Sequence, residues 1–272
     1  MFTRAIVRPP ASNFAEGLTT ADLGAPDYER ALKQHEAYCL ALEQCGLRLT
    51  RLEADPFHPD STFVEDTAVL PDQCAVITRP GAPSRAGEIA SIKDVLAGFY
   101  PSLLSIRLPG TVDGGDVCEV GDHFFIGISK RTNKAGARQL AELLAPFGYA
   151  SSQVDISKSG TEAPPVSHAQ DARATNHILH LKSGIAWLGD QRLVVIDALA
   201  ARPEFNQYDL VRVNADEAYA ANCVRVNDHV LVASGYPFLE EKLRDLGYQT
   251  IALDMSEFQK MDGGLSCLSL RF

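Results

Sequence analysis

The sequence predicts an α/β ring closed from five copies of one unit: a hairpin, a helix and a strand. Three observations predict it. Four internal segments alternate β-favouring runs around a polar turn carrying an aspartate, at Asp72, Asp122, Asp190 and Asp228. Helix-spaced apolar segments recur after them, two of which end in a glycine that leads into another β-rich run. Finally, the two ends of the chain each carry a strand without a hairpin partner, and pairing them supplies a fifth hairpin.

In chain order, Thr3–Arg8 reads as a strand that stops at Pro9 and Pro10, and residues 28–45 as a helix stopped by Gly46 before a strand over Leu47–Leu52. The hairpins follow over Thr67–Thr78, Asp116–Ile128, Gly184–Ile196 and Cys223–Ala233. Helices are expected at 86–99, 134–147 and 237–246, and a last strand at Leu265–Phe272. Closing a sheet system into a ring removes open edges, which favours closure. The alternative reading of the pattern is an open α/β protein with stray hairpins.

Composition narrows the function. The 272 residues are 46% hydrophobic and 22% charged, enough for one domain over 1–272 that folds without disulfide or metal staples. A net charge of −10 argues against nucleic acid and anionic membranes as partners. No apolar run reaches the length of a membrane span, and the first ten residues lack the pattern of a signal peptide. Six cysteines without a CxxC pair argue against a zinc ribbon and fit a reducing, cytoplasmic compartment.

Chemically promising residues cluster just ahead of the hairpins: Asp60–Asp66, Gly110–Asp116, His180–Ser183 and Met261–Cys267. Each has a bland alternative. Asp113 before two glycines is ordinary turn chemistry, and the acidic pair Glu65 and Asp66 can end a strand in solvent. His180 can be a satisfied core histidine, and Cys267 a small buried hydrophobe. Together, a cysteine, a histidine and a carboxylate make a nucleophile, a proton shuttle and an orienting group.

At these residues the chain resembles the guanidino-group-modifying enzymes, and among them the dimethylarginine dimethylaminohydrolase family. The matching runs are Phe63–Asp66, Ile77–Arg85, Asp113–Asp116, Ser129–Asn133, Leu179–Ser183 and Met261–Cys267, in order and nearly end to end. The resemblance implies a pentameric β/α propeller of five ββαβ-type units around a central active-site channel. It implies Cys267 as nucleophile, His180 as general acid and base, and Asp113 as third member, where some relatives carry glutamate. It further implies that Asp66 holds the guanidinium nitrogens with Glu65 beside it. Arg85 and Arg131 would hold the substrate carboxylate, Asp60 and the Leu18 backbone the α-amino group, and the Met261 carbonyl would line the pocket. No cofactor is implied. Cys267 and His180 are a possible inhibitory zinc site, and the expected partner is a small methylated arginine, bound by a monomer or homodimer.

The chemistry suits these residue types. A guanidinium is planar, cationic and donor-only, so carboxylates recognise and orient it. One carboxylate at ~4 Å opposes a resting thiolate by roughly 4 kcal/mol at an effective dielectric of about 20, so Asp66 and Asp113 predict a resting thiol at Cys267. A cationic substrate cancels that opposition as it binds. Two segments bear on the pocket: Asn13–Leu18 is a candidate lid, since its glycine permits hinge motion, and a loop-like insertion at 157–178, which contains His168 and His177, is an inert surface loop or, alternatively, a border of the pocket. Rival functions are a deiminase or ureido hydrolase of the same superfamily and a non-catalytic module that binds arginine-like amino acids. Agmatine fits poorly because it lacks the carboxylate assigned to Arg85 and Arg131.

Overall fold

The computed structural model describes residues 1–157 and 178–272. The described strands form five sheets of three strands each. The first sheet joins β1 (Arg4–Val7) to β2 (Arg48–Arg51) in parallel and to β15 (Leu270–Arg271) antiparallel, with Ile6 opposite Leu270. The other four follow the chain: β3–β5 (Ala68–Val69, Ala75–Ile77, Leu103–Ser105), β6–β8 (Val117–Val120, His123–Ile128, Ala150–Asp155), β9–β11 (Ile185–Gly189, Arg192–Ile196, Asp209–Val213) and β12–β14 (Val224–Val226, His229–Ala233, Gln249–Leu253). In each, an antiparallel hairpin supplies two strands and a third returns parallel to the second. A parallel return needs a crossover, and this is why a helix follows the hairpin.

The crossovers are α1 (Tyr28–Gln44), α2 (Ile89–Leu96), α3 (Lys134–Leu144), a single turn α4 (Asp197–Ala200) and α5 (Pro237–Asp245). The expected helix at 134–147 tightens into a 3-10 turn over Ala145–Phe147. Pro146 has no N–H to continue the α-helical ladder. Gly148 then adopts φ +85°, a conformation costly for any residue with a Cβ. In the hairpin of β9 and β10 the two turn residues, Asp190 and Gln191, have φ +50° and +60°, matching the mirror-image turns that suit strand twist.

Each middle strand is buried on both sides, which explains its unbroken apolar run. Successive side chains point to opposite faces. In β7, Phe124 and Ile126 pack with Val69 and Val76 of the preceding sheet, whereas Phe125 packs with Ile185 and Leu193 of the next. Leu188 and Val194 meet Val230 and Val232 in the same manner, and Leu231 meets Ala5 and Val7 of the first sheet. Ile6 and Leu270 complete the series against Ala75 and Ile77. Five apolar clusters thus each join one sheet to the next.

The expected strand over Leu265–Phe272 is a correction: only Leu270–Arg271 is strand, and Ser266–Leu268 is a 3-10 turn. The Cys267 N–H donates to the Gly264 carbonyl at 3.2 Å and bends the chain there. The turn is one of five. Val64–Thr67, Gly114–Asp116, Leu181–Ser183 and Ala215–Ala221 likewise lead into the first hairpin strand of their sheets. No helix among the described residues is long and apolar enough to cross a membrane. Residues 158–177, all but the two ends of the insertion expected at 157–178 and including His168 and His177, lie outside the described residues.

Candidate active site

The 3-10 turns carry the polar residues inward, where one cavity is lined by Leu18, Asp60, Asp66, Arg85, Arg131, His180, Met261 and Cys267. Asp113 lies directly behind His180, fully buried, with its Oδ2 3.0 Å from the imidazole Nε2. The other Asp113 oxygen accepts the Gly81 N–H at 2.7 Å, so the carboxylate is fixed from both ends. Asp116 anchors the next turn, accepting the Leu181 N–H at 3.0 Å and the Ser129 hydroxyl at 2.6 Å. Gly115 is tied to the site by space as well as by bonding. A Cβ there meets His180 Nδ1 at 2.8 Å and Asp66 Oδ1 at 2.9 Å, so only glycine lets the turn pass behind the pair.

Three carboxylates therefore surround one imidazole. Burial disfavours the charged ring, but Asp66, Asp113 and Asp116 outweigh it and hold the His180 pKa up at about 9. Burial opposes charge on Asp66 as well; His180, Arg85 and the Gly115 N–H overcome it and keep the carboxyl down at about 2. The Cys267 thiol is pushed up to about 12 by burial, then by the charges of Glu65 and Asp66. This is the expected resting thiol, except that Glu65 rather than Asp113 stands beside Asp66 among the causes. The atoms of Asp66, Asp113 and His180 that can ligate a metal lie within 4.8 Å of one another. All three groups already bond protein partners, and a protonated imidazole has no lone pair for a metal.

Two residues sit differently from their sequence-based expectations. Glu65 does not face the cavity with Cys267. It takes Lys182 Nζ at 2.7 Å, the Ser266 hydroxyl at 2.6 Å and Arg271 at 3.3 Å, and it lines a second, larger cavity of about 490 Å³. A 3-10 turn advances about 120° per residue, so the side chains of Glu65 and Asp66 diverge. Arg85 lines the active cavity, yet its guanidinium is filled from within. It donates to Asp66, to both Glu88 oxygens, and to the Phe63 and Asp60 carbonyls at 3.0 and 3.3 Å. Arg131 contrasts with it: Nη1 has no hydrogen-bond partner and stands 4.0 Å from Asp113.

At the other end, Asp60 Oδ1 accepts the Leu18 N–H at 2.9 Å. The segment that follows is strapped down by Thr19 on the Lys260 carbonyl and by Thr20 on Asp262. Of the expected lid Asn13–Leu18, Leu18 lines the cavity, and Gly17 packs so close that a Cβ there meets Asp60 Oδ1 at 2.5 Å. Sequence reasoning missed Asn222, at the end of the fifth 3-10 turn, which accepts the Ser266 N–H at 2.9 Å and donates to the Lys182 carbonyl at 2.9 Å. Its position just ahead of a hairpin, where the other four units place their polar runs, was the available signal.

No family model matches the chain. It is 43% identical over 273 residues to an N(G),N(G)-dimethylarginine dimethylaminohydrolase of Pseudomonas aeruginosa, with the full length of both chains covered. The enzyme of the same name from Streptomyces coelicolor is 35% identical over 276 residues, covering 98% of this chain and 96% of that one. Two solved structures match over the full length of both chains at 43% identity. A histidine-to-glycine variant of dimethylarginine dimethylaminohydrolase, as an adduct with S-methyl-L-thiocitrulline, gives a TM-score of 0.91, and a cysteine-to-serine variant of the P. aeruginosa enzyme complexed with citrulline gives 0.92. The product-bound N-terminal domain of a cyanobacterial arginine dihydrolase, 18% identical, shares the fold with a TM-score of 0.84 over 100% of this chain and 97% of that one.

Proposed function

The chain belongs to the dimethylarginine dimethylaminohydrolase family, and from that premise we propose that Cys267, His180 and Asp113 hydrolyse the guanidinium of Nω-methylated arginine. The products are citrulline and dimethylamine or methylamine. The observation that carries the residue assignment is a single cavity lined by Cys267, His180 and Asp66, with Arg131 also in its wall, its Nη1 without a hydrogen-bond partner and 4.0 Å from Asp113. Asp66 binds the guanidinium, and Arg131 the carboxylate. Arg85, with its fork filled, holds Asp66 in place and adds positive charge. Asp60 and the Leu18 backbone meet the α-amino group, and the Met261 carbonyl lines the pocket beside the substrate.

As the cationic substrate binds, the Cys267 thiol loses its proton to solvent, and the thiolate attacks the guanidinium carbon. His180 gives the departing amine its proton from the ring nitrogen that Asp113 leaves free, and the C–N bond breaks. A thiouronium remains on the cysteine. Neutral His180 then takes a proton from water, the hydroxide adds to the same carbon, and the C–S bond breaks to release citrulline. Every group assigned comes from one chain, so a monomer suffices for catalysis and a homodimer would carry two complete sites. We place these groups in one domain, 1–272, arranged as a pentameric propeller. The five clusters between successive sheets, and the β1–β15 pairing that unites the first and last segments, support that arrangement. Six free thiols support a reducing, cytoplasmic compartment.

The deciding assay measures citrulline and amine from asymmetric dimethylarginine, monomethylarginine and arginine. Equal amounts of citrulline and dimethylamine are expected from the first. Ammonia from arginine, with the methylated substrates untouched, would move the chain to the deiminase reading.

The proton inventory sets the pH dependence. With His180 near 9 and Cys267 near 12, the free enzyme at neutral pH holds a thiol and an imidazolium. The reactive thiolate–imidazolium pair carries one proton fewer. kcat/KM should therefore rise about tenfold per pH unit above about pH 6 and level near pH 9. A pH–rate profile already flat at pH 7 contradicts this inventory. At the other end of the substrate, Arg131→Lys keeps the charge but loses the planar fork. KM for monomethylarginine is expected to rise about tenfold or more, with kcat within about threefold, which is the signature of lost uniform binding.

A further inference from the structure

We propose that Asn222 is a positioning residue for the Cys267–His180 pair, acting as the clasp of a hydrogen-bonded hoop that runs through the five 3-10 turns leading into hairpin strands. The inference rests on the reaction assigned above. Three of the five junctions join residues already placed at or beside the site, the third of them through two bonds. Ser266 Oγ donates to Glu65, and the Gly115 N–H donates to Asp66 at 2.8 Å. His180 meets Asp113, and the Leu181 N–H donates to Asp116. These links order the turns of Ser266, Glu65, Asp113 and His180 in a row, with the nucleophile's turn at one end and the imidazole's at the other.

Asn222 joins those two ends. Its Oδ1 accepts the N–H of Ser266, next to Cys267, and its Nδ2 donates to the carbonyl of Lys182, two residues after His180. The same nitrogen lies 3.2 Å from Ser266 Oγ. A backbone N–H can only donate and a carbonyl only accept, so one primary amide is the group that satisfies both sides at once. Asn222 is 7% exposed, and no water competes easily for these bonds. Gly264 clamps the amide from the other side: a Cβ at that position meets Asn222 Cγ and Oδ1 at 2.6 Å. Without the clasp, the turn carrying Cys267 keeps its Glu65 link, and its tie to the turn of His180 falls to the side-chain bridge through Glu65 and Lys182 Nζ, with no bond left to the Lys182 main chain. A displacement of about 1 Å between reacting groups is enough to cost about 100-fold in rate.

The test uses the full chain with Asn222→Ala and Asn222→Asp. The second keeps the shape and the acceptor for Ser266 but turns a second acceptor toward the Lys182 carbonyl. Steady-state turnover of monomethylarginine is measured alongside the rate of Cys267 alkylation by iodoacetamide, read by peptide mass spectrometry, and thermal melting. The expected result is a kcat about 10- to 100-fold lower with KM within about threefold. The rate of Cys267 alkylation at about pH 9 should fall by at least about threefold, because the minor thiolate–imidazolium pair, which carries as many protons as the thiol with neutral His180, loses its alignment. An unchanged kcat and alkylation rate in either folded variant overturns the proposal, and Asn222→Asp decides the matter if Asn222→Ala does not fold. A wild-type chain that leaves methylated arginines untouched defeats the assigned reaction instead. The alkylation rate still decides the clasp, since it needs no substrate.

Discussion

Cys267→Ser is expected to lower kcat by at least about 1,000-fold while leaving KM within about threefold. The surroundings that make the thiol a poor acid at rest, burial with Glu65 and Asp66 nearby, act equally on an alcohol whose own acidity is far weaker. A thiolate becomes accessible once the cationic substrate balances those carboxylates. An alkoxide does not. The side chains differ little in size, and Cys267 retains only partial exposure, so melting temperature and substrate binding should be preserved. The checks are amine release, isothermal binding of monomethylarginine, and intact-mass detection of a covalent adduct in the native enzyme alone. A serine variant that turns over within tenfold of the native chain removes Cys267 from its role.

Arg85→Lys carries the second largest expected effect, and it falls mainly on stability. Arg85 is 4% exposed and joins Asp66, Glu88 and two main-chain carbonyls through a single planar fork. Lysine keeps the charge but presents three donors at one point and cannot span those four acceptors. Breaking a buried ion pair costs about 3–5 kcal/mol when a charge is left uncompensated, and a loss of about 3 kcal/mol is expected by urea unfolding. The pH dependence has a definite sign. A carboxyl held down at about 2 contributes stability that is present above the ordinary aspartate value and is lost as pH falls toward 2. With Arg85 replaced, the Asp66 pKa climbs, and part of that contribution is missing already at neutral pH. Activity should fall with it if Asp66 is the proposed guanidinium site, which has to be ionised to receive that cation. If Arg85 instead bound the substrate carboxylate through spare donors, Arg85→Lys would mirror Arg131→Lys, raising KM and sparing the fold.

The sequence was most legible where the physics is local. Alternating runs around Asp122 and Asp228 marked hairpins because strand periodicity and turn chemistry operate over a few residues, and the structure has both. The helix expected at 134–147 was right in place and long at its end, since Pro146 changes the hydrogen bonding only in the last turn. The strand at Leu265–Phe272 was overextended. Its β-compatible composition gave no hint that Cys267 sits in a turn closed onto Gly264. Within the site, resemblance found the cavity-lining set, but it treated Glu65 and Asp66 as a pair. Their separation depends on the handedness and pitch of a four-residue 3-10 turn, which residue types do not encode. The commitment of Arg85 to Glu88 is likewise invisible without knowing that Pro83–Arg85 is also such a turn, with Glu88 brought beneath it. Asn222 was overlooked because an isolated asparagine ahead of a strand looks like any loop residue.

The pairing of β1 with β15 has a consequence for how the enzyme comes into being. Cys267 follows Val7, the last residue of β1, by 260 residues in sequence, so the strand that seats its neighbourhood is made long before it. Thr3, Arg4 and Phe272 bond across nearly the whole chain, so the contacts that finish the pocket are the ones with the greatest loop entropy to overcome. Four sheets can gather on the nascent chain without producing any reactive sulfur. Guanidino chemistry should then switch on in one step, at closure, and a chain lacking residues 265–272 should be inert rather than merely slow.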